Sequence, residues 1–180
     1  MRIISGILKG RKIVAPKSLP VRPTTDFAKE ALFNLLNNQI KIEGAKVLDL
    51  CAGTGNISFE FTSRGAVSVI SVDAHAGCLK FIKQQADAFQ INTIHPYKAD
   101  LFQYLKRVKK SFNIIFADPP YEMEGLEQLP ELILSRKLLE KNGLLIVEHS
   151  KKIKFEEQAG FLFSRKYGNV NFTFFEEIEA

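Results

Sequence analysis

Short apolar runs alternate with amphipathic segments over most of the 180-residue chain. Five of these runs have the length and residue content of buried strands. They are KVLDL (46–50), SVISVD (68–73), IHPYKAD (94–100), FNIIFA (112–117) and GLLIVEH (143–149). Helical spacing of apolar residues is found between them, at 56–64, 75–90, 101–110 and 125–141. The alternation predicts an α/β fold, with a parallel sheet, helices on both faces and right-handed crossovers.

The two ends of the chain depart from this alternation. The stretch FLFSRKYGNVNFTFFEE (161–177) predicts two antiparallel strands that turn at Tyr167–Gly168–Asn169. The stretch RIISGILKGRKIVAP (2–16) alternates around a Gly-containing turn, which predicts a β-ribbon. We therefore expect a basic ribbon extension over residues 1–21 and one α/β domain over residues 22–180.

A further helix is predicted at 26–38, after a Pro-rich connector. Thr24, Thr25 or Asp26 can cap its first turn. The spacing of its apolar residues predicts that one face packs on the domain. That face is expected to hold Phe27, Ala31, Leu32, Leu35 and Leu36.

Composition narrows the class of protein. A hydrophobic content of 46% is enough to bury the core of one domain. No apolar run reaches the length of a membrane span, and the N-terminus lacks the pattern of a signal peptide. The two cysteines, Cys51 and Cys78, have neither metal-ligand spacing nor the pattern of a disulfide framework. We expect a cytoplasmic protein that holds no metal and binds no membrane.

The positive charge of the chain is concentrated near its N-terminus. Residues 1–22 contain no acid and six basic residues, whereas the rest of the chain has a net charge of −1. A solvated basic tail is the plain alternative. A structured ribbon that carries this charge favours contact with a nucleic-acid phosphate backbone instead. The residues predicted to bind RNA are Arg2, Lys9, Arg11, Lys12 and Arg22.

In sheets of this kind, ligands bind beyond the carboxyl ends of the strands. The first strand is followed by DLCAGTGN (49–56), where Gly53 and Gly55 permit a tight turn and a close approach by a ligand. A dinucleotide fingerprint requires glycine where this chain has Ser58, which disfavours a dinucleotide oxidoreductase. A nucleoside ligand without a pyrophosphate fits this turn, with Asp49 nearby.

Acidic residues also follow the second and third strands. Asp73 can accept hydrogen bonds from both ribose hydroxyls of an adenosine. Asp100 can accept from an adenine amino group, with the Leu101 N–H directed at a ring nitrogen. Asp73 alone is equally explained as a helix cap, and Asp100 alone is better explained as one, but together with Asp49 and the glycine turn they favour an adenosine-containing cofactor. The predicted cofactor-binding residues are Asp49, Ala52, Gly53, Gly55, Asn56, Asp73, Ala74, Asp100 and Leu101.

The fourth strand ends in the sequence Asp118, Pro119, Pro120, Tyr121. The prolines have no N–H and a fixed φ, so the carbonyls beside them are rigid acceptors, and the tyrosine ring can stack on a base. Acceptors beside a stacking ring match the exocyclic amino group of a base. Two hydrogen bonds from that group would free its lone pair for in-line attack on a methyl group. A Pro-Pro loop that only closes a βα unit is the structural alternative.

Motifs along nearly the whole chain resemble those of the RsmD-like family of class I S-adenosylmethionine-dependent methyltransferases. They are RIISG (2–6), KGRKI (9–13), RPTTDFAKEALFNLL (22–36), VLDLCAGTGNIS (47–58), SRGA (63–66), DPPY (118–121) and YGN (167–169). The resemblance implies a Rossmann-like fold with a seven-stranded, mostly parallel sheet in the order 3-2-1-4-5-7-6. It also implies methylation of guanine N2 in bacterial 16S rRNA, within the assembling or assembled small subunit, with S-adenosylhomocysteine as product.

Other hypotheses stay open at this point. The DPPY motif does not encode which amino group is presented, so an adenine-N6 methyltransferase acting on DNA or another RNA is the alternative. A nucleic-acid-binding module without activity is disfavoured by the intact glycine turn, Asp73 and the DPPY motif. His149, at the end of the fifth strand, can touch substrate or serve only the fold. We expect a monomer.

Overall fold

The computed structural model describes residues 1–21 and 24–177. Within these residues, seven strands form a single sheet in the order β3-β2-β1-β4-β5-β7-β6. The strands are β1 Lys46–Leu50, β2 Ser68–Asp73, β3 Ile94–Lys98, β4 Phe112–Ala117, β5 Leu139–His149, β6 Phe161–Tyr167 and β7 Val170–Glu176. The helices are α1 Asp26–Asn37, α2 Asn56–Ser63, α3 Ala76–Ala88, α4 Leu101–Arg107 and α5 Leu129–Ser135. The fold and strand order predicted from the sequence are confirmed.

Strand β1 lies at the centre of the parallel part of the sheet and pairs in parallel with β2 and β4. Strands β3 and β5 extend the parallel part on either side. Strand β7 pairs antiparallel with both β5 and β6, which confirms the predicted C-terminal hairpin. Because β1 to β5 are parallel, the loops that follow them all begin at the same edge of the sheet. This edge, the carboxyl edge, therefore holds the candidate site.

The sheet separates two apolar clusters, as the period of two along a strand requires. Val47 packs in one cluster and its neighbour Leu48 in the other. Ile3, Leu8 and Ile13 belong to the same cluster as Val47 and are buried. The N-terminal segment, residues 1–21, is therefore packed against the domain through its apolar side chains.

The predicted β-ribbon is present as a short antiparallel pairing around one bridge, between Arg2 and Lys12. Ile3 N–H donates to the carbonyl of Arg11 at 2.9 Å, and Ile13 N–H donates to that of Met1 at 3.0 Å. The Glu60 carboxylate accepts hydrogen bonds from the N–H groups of Ile4, at 2.8 Å, and Ser5, at 3.1 Å. A side chain of α2 thus receives the backbone N–H groups that follow the paired part of the ribbon.

Gly6 allows the N-terminal segment to approach α2 this closely. Its φ is +84°, and a Cβ built on it would lie 1.8 Å from the carbonyl oxygen of Ser63. The next residue, Ile7, donates its N–H to that same oxygen at 2.8 Å. The contact requires glycine both for its backbone conformation and for space.

The predicted apolar face of the first helix is partly wrong. Phe27 is 68% exposed, and Lys29 is fully buried. Lysine is buried here because Glu60 and two further acceptors receive its ammonium group, as described below. The buried residues of α1 are Ala28, Lys29, Leu32, Phe33 and Leu36.

The helix predicted at 125–141 is also wrong in its second half. A 3-10 turn at Leu126–Gln128 leads into α5, which ends at Ser135, and β5 already begins at Leu139. The chain leaves the helix at Lys137, whose φ is +53°. The carbonyl of Leu138 then accepts from Phe112 N–H at 2.9 Å, so the apolar pair after Lys137 joins the sheet. Strand β3 ends at Lys98 rather than at Asp100.

Candidate active site

The loop between β1 and α2 lies at the carboxyl edge of the sheet and carries the two glycines of the predicted cofactor site. Gly53 and Gly55 both have positive φ, at +55° and +76°. A Cβ on Gly55 would lie 2.9 Å from the Ile82 side chain, so α2 and α3 pack against this residue too closely for any other. The loop is held from below, because Ala52 N–H donates to the carbonyl of Val72 at 3.0 Å.

Asp73 follows β2 and fixes the same loop from the side. One carboxylate oxygen accepts from Gly53 N–H and the other from His75 N–H, both at 2.8 Å. Each oxygen has a second lone pair, and the half-buried residue faces the carboxyl edge. Asp73 can therefore hold the loop and still accept from ribose hydroxyls, and Ala74 beside it is exposed.

Asp100 acts as the N-cap of α4, accepting from Gln103 N–H at 3.0 Å. The cap that the sequence allowed is thus present. The bond involves one oxygen, Oδ1, and the residue is half-buried, so the other oxygen remains able to accept a further hydrogen bond. The side chain of Leu101 is buried under α4. This pair offers one carboxylate oxygen and a helix N-terminus to a ligand.

Asp49 lies beneath the glycine loop and is 1% exposed. Its carboxyl oxygen accepts from Ser58 Oγ at 2.5 Å, and Ser58 Oγ lies 2.7 Å from Ser71 Oγ. Burial raises the pKa of Asp49 to about 7. Ser58, which stands where a dinucleotide fingerprint has glycine, thus holds a buried carboxyl under the loop.

The side chain of Asn56 points away from the carboxyl edge. Its amide nitrogen donates to the carbonyl of Thr24 at 3.1 Å, and its amide oxygen accepts from Lys29 Nζ at 2.7 Å. The structure therefore groups Gly53, Gly55 and Asp73 at the glycine loop. It places the Asn56 side chain in the interior, where only its backbone, at the start of α2, borders the site.

The corner after β4 stands next to this loop, because Asp118 N–H donates to the carbonyl of Leu50 at 3.2 Å. The Pro120 carbonyl accepts from Met123 N–H at 2.9 Å, which closes the turn. Among the described residues, no donor is bonded to the carbonyl of Pro119. Tyr121 is 43% exposed. The corner thus combines a carboxyl group, a rigid carbonyl and an accessible ring.

A second carboxyl group stands beside the corner at the end of β5. Glu148 is 5% exposed, and its two oxygens accept from Thr24 Oγ1, at 3.3 Å, and Tyr121 OH, at 3.5 Å. Burial raises its pKa to about 7. Burial also raises the pKa of Asp118 well above its usual value, and the charge of Glu148 and then that of Asp49 add to this effect.

The sequence pattern did not identify Glu148 as a candidate site residue. The available signal was an acid at the carboxyl end of an otherwise apolar strand. Its neighbour His149 is 4% exposed, with Nε2 2.7 Å from Thr173 Oγ1 and Nδ1 2.8 Å from the carbonyl of Ser150. Burial lowers the pKa of His149. Its ring is thus engaged within the fold.

The basic side chains of the N-terminal segment are exposed. These are Arg2, Lys9, Arg11, Lys12 and Lys17, of which the first four are predicted RNA contacts. The guanidinium of Arg11 lies over the ring of Phe89, 5.0 Å from its centroid. Arg22, the fifth predicted RNA contact, lies outside the described residues.

The part of the chain that the structure describes contains neither a metal-binding cluster nor a membrane-spanning helix. Within residues 1–21 and 24–177, no group of three or more His, Cys, Asp or Glu side chains is placed to hold a metal ion. In the same residues, no helix has the length and hydropathy of a membrane span.

The family model described as "Conserved hypothetical protein 95" matches residues 1–176. The chain belongs to this family. Putative rRNA methyltransferase YlbH of Bacillus subtilis (strain 168) is 35% identical over 167 residues, which cover 90% of this chain and 89% of that protein. Ribosomal RNA small subunit methyltransferase D of Escherichia coli (strain K12) is 30% identical over 148 residues, covering 82% and 74%.

The same relationship is found among solved structures. The structure described as "Putative methyltransferase yhhF from Escherichia coli" superposes with a TM-score of 0.85 at 25% identity, over 99% of each chain. These similarities confirm the resemblance to the RsmD-like family and the Rossmann-like methyltransferase fold.

Proposed function

We propose that this protein transfers a methyl group from S-adenosylmethionine to the exocyclic N2 amino group of a guanine in bacterial 16S rRNA. One observation carries the proposal. The corner Asp118–Tyr121, with its carboxyl group and rigid carbonyl, adjoins a glycine loop that can hold an adenosine-containing cofactor. The names of both relatives support an rRNA substrate, and that of the Escherichia coli relative supports the small subunit.

The chain has residues that fit the cofactor. Because Gly53 and Gly55 carry no side chains, a ligand can contact the backbone of the loop. Asp73 would accept from the ribose hydroxyls, and Asp100 with the Leu101 N–H would receive the adenine edge. When bound, the cofactor supplies an electrophilic methyl group and leaves as S-adenosylhomocysteine. The proposed set requires no metal ion.

At the corner, the residues of the chain orient the target base. Asp118 and the carbonyl of Pro119 would each accept one hydrogen of the amino group, while the ring of Tyr121 stacks on the base. The two bonds turn the nitrogen lone pair toward the glycine loop. Because its pKa is raised, Asp118 is also suited to receive the proton that the nitrogen loses as it gains the methyl group.

The finer parts of the proposal rest on family membership. Adenine N6 presents the same two hydrogens as guanine N2, so the corner alone does not choose between them. The basic N-terminal segment would position the rRNA, and the target is proposed to lie in the assembling or assembled small subunit. We propose that the protein catalyses this methyl transfer as a monomer in the cytoplasm.

The test compares rRNA nucleosides from cells with and without the gene. We expect deletion to remove one N2-methylguanosine from 16S rRNA, as seen by mass spectrometry of its fragments. The wild-type gene should restore it, whereas Asp118→Ala should not. Purified Asp118→Ala should bind S-adenosylmethionine within about threefold of wild type by calorimetry, because Asp118 serves the base. Loss of an N6-methyladenosine instead, or no change in 16S rRNA, would overturn the proposal.

A further inference from the structure

A chain of buried polar side chains begins where the N-terminal segment meets α2. Glu60 is fully buried, and its carboxylate lies 3.5 Å from the ammonium group of Lys29. Lys29 Nζ also donates to the carbonyl of Arg2 and to Asn56 Oδ1, both at 2.7 Å. This end of the chain of bonds thus holds the backbone of the basic segment directly.

The same chain of bonds continues to the corner. Asn56 Nδ2 donates to the backbone carbonyl of Thr24, and the hydroxyl of Thr24 donates to Glu148. The other oxygen of Glu148 accepts from the hydroxyl of Tyr121. Every side chain from Lys29 to Glu148 in this series is at least nine-tenths buried. A continuous polar connection therefore runs from the N-terminal segment to the ring of Tyr121.

Glu148 in its ionised form destabilises the fold at this place. A buried carboxylate loses its hydration, and a second carboxylate nearby adds repulsion whenever both groups are ionised. The hydrogen bonds that Glu148 accepts from Thr24 and Tyr121 need only a neutral acceptor, so they do not by themselves require a carboxyl group. A group retained at such a cost, in contact with the corner, points to a part in the reaction.

We propose that Glu148 is a positioning residue of this reaction, which holds the Tyr121 ring through its hydroxyl and places a second acidic group beside Asp118. Through Thr24, Asn56 and Lys29, Glu148 is itself fixed relative to the N-terminal segment. The inference rests on the proposed function, because it assigns Glu148 a part in the same site.

The two parts proposed for Glu148, holding the Tyr121 ring and placing a charge beside Asp118, can be measured separately. Asp118 must be ionised to accept the amino hydrogens, so activity rises with pH through its pKa. Besides burial, the charges that raise this pKa are those of Glu148 and Asp49. The neighbouring thiol of Cys51 stays neutral, because burial raises its pKa. Removing the charge of Glu148 must therefore lower the pKa of Asp118.

The experiment measures kcat and KM of methyl transfer to small subunits from the deletion strain, as a function of pH. Glu148→Gln keeps an acceptor for Tyr121 but removes the charge, so the acid limb of kcat should shift down by about half a pH unit or more. Glu148→Ala and Tyr121→Phe should each lower kcat about tenfold, with the KM for S-adenosylmethionine within about twofold.

If Glu148 acts through the tyrosine hydroxyl, its loss and that of the hydroxyl are not additive. The double variant Glu148→Ala/Tyr121→Phe should then be no slower than Glu148→Ala alone. Glu140→Gln, at the opposite end of β5, is the matched control and should change neither kcat nor its pH profile.

An unshifted acid limb in Glu148→Gln, together with additive losses in the double variant, would overturn the inference. Tyr121→Phe changes only a partly exposed hydroxyl, so this arm gives a result even if Glu148→Ala does not fold. Inactive wild-type protein would count against the proposed function, whereas active wild type with unaffected variants would count against the role of Glu148 alone.

Discussion

Asp49 makes the stability of the protein depend on pH. Its pKa is about 7 in the folded protein and close to the ordinary 3.8 in the unfolded chain. The cause is burial, which the hydrogen bond from Ser58 only partly offsets. Because the folded state binds the proton more tightly, this group lowers the free energy of unfolding as the pH rises from about 4 to about 7.

Asp49→Asn removes this titration and keeps an acceptor for Ser58. We expect the variant to gain stability relative to wild type as the pH rises, by about 2–4 kcal/mol between pH 4.5 and pH 8, at about 1.4 kcal/mol per pKa unit. Urea unfolding without cofactor measures the difference. Asp87→Asn, on the exposed side of α3, is the control and should show no such trend. A constant difference at both pH values would contradict the assignment.

Lys29 and Glu148 show which residues the sequence could not place. Lysine and glutamate are almost never fully buried unless they are paired, so an amphipathic pattern assigns them to solvent. Their partners lie far along the chain: Glu60 for Lys29, and Thr24 for Glu148. Gly53 and Asp73 could be placed because each directly follows or ends a short apolar run at the carboxyl edge.

At the scale of elements, the contact between the N-terminal segment and α2 depends on Gly6. Gly6→Ala puts a methyl group where the Ser63 carbonyl oxygen now lies, so segment and helix must separate. Gly10 is the matched control, since its φ is +83° but nothing lies within 4 Å of a built Cβ. Both substitutions therefore place alanine at a positive φ, but only Gly6→Ala also brings a methyl group against the Ser63 carbonyl oxygen.

We expect Gly10→Ala to lower the free energy of unfolding by about 1–2 kcal/mol, the cost of left-handed backbone in alanine. Gly6→Ala should cost about 1–3 kcal/mol more, as for other overpacked sites. Urea unfolding measures both, and limited proteolysis should release the N-terminal segment faster in Gly6→Ala. Equal losses in the two variants would show that the close contact with Ser63 does not hold the segment.

Elements were predictable where local pattern and tertiary packing agree. The runs at 68–73 and 112–117 are strands with the predicted bounds, because each is short, apolar and followed by a turn. The helix predicted at 125–141 failed because its later apolar residues have partners in β4, which local spacing does not reveal. The predicted ribbon is short, with one bridge between Arg2 and Lys12, and beyond it Glu60 of α2 accepts from the backbone of Ile4.

At the scale of the whole molecule, exposed basic residues form groups at different edges of the sheet. Five lie on the N-terminal segment, four of them predicted to bind RNA, and the buried chain of bonds connects this segment to the corner. Another four, Lys106, Arg107, Lys109 and Lys110, are exposed just before β4 begins. Because Asp118 follows the other end of β4, this second group lies at the edge of the sheet away from the site.

This division allows a matched test of rRNA binding. Changing Arg2, Lys9, Arg11 and Lys12 to Gln should weaken binding and flatten the slope of log K against log salt by up to about 3, since each phosphate contact contributes roughly 0.7–0.9. The same change at Lys106, Arg107, Lys109 and Lys110 removes equal charge and should leave most of the slope. Fluorescence titration of a 16S rRNA fragment at several salt concentrations measures both. Equal flattening would mean that net charge, and not the N-terminal segment, governs binding.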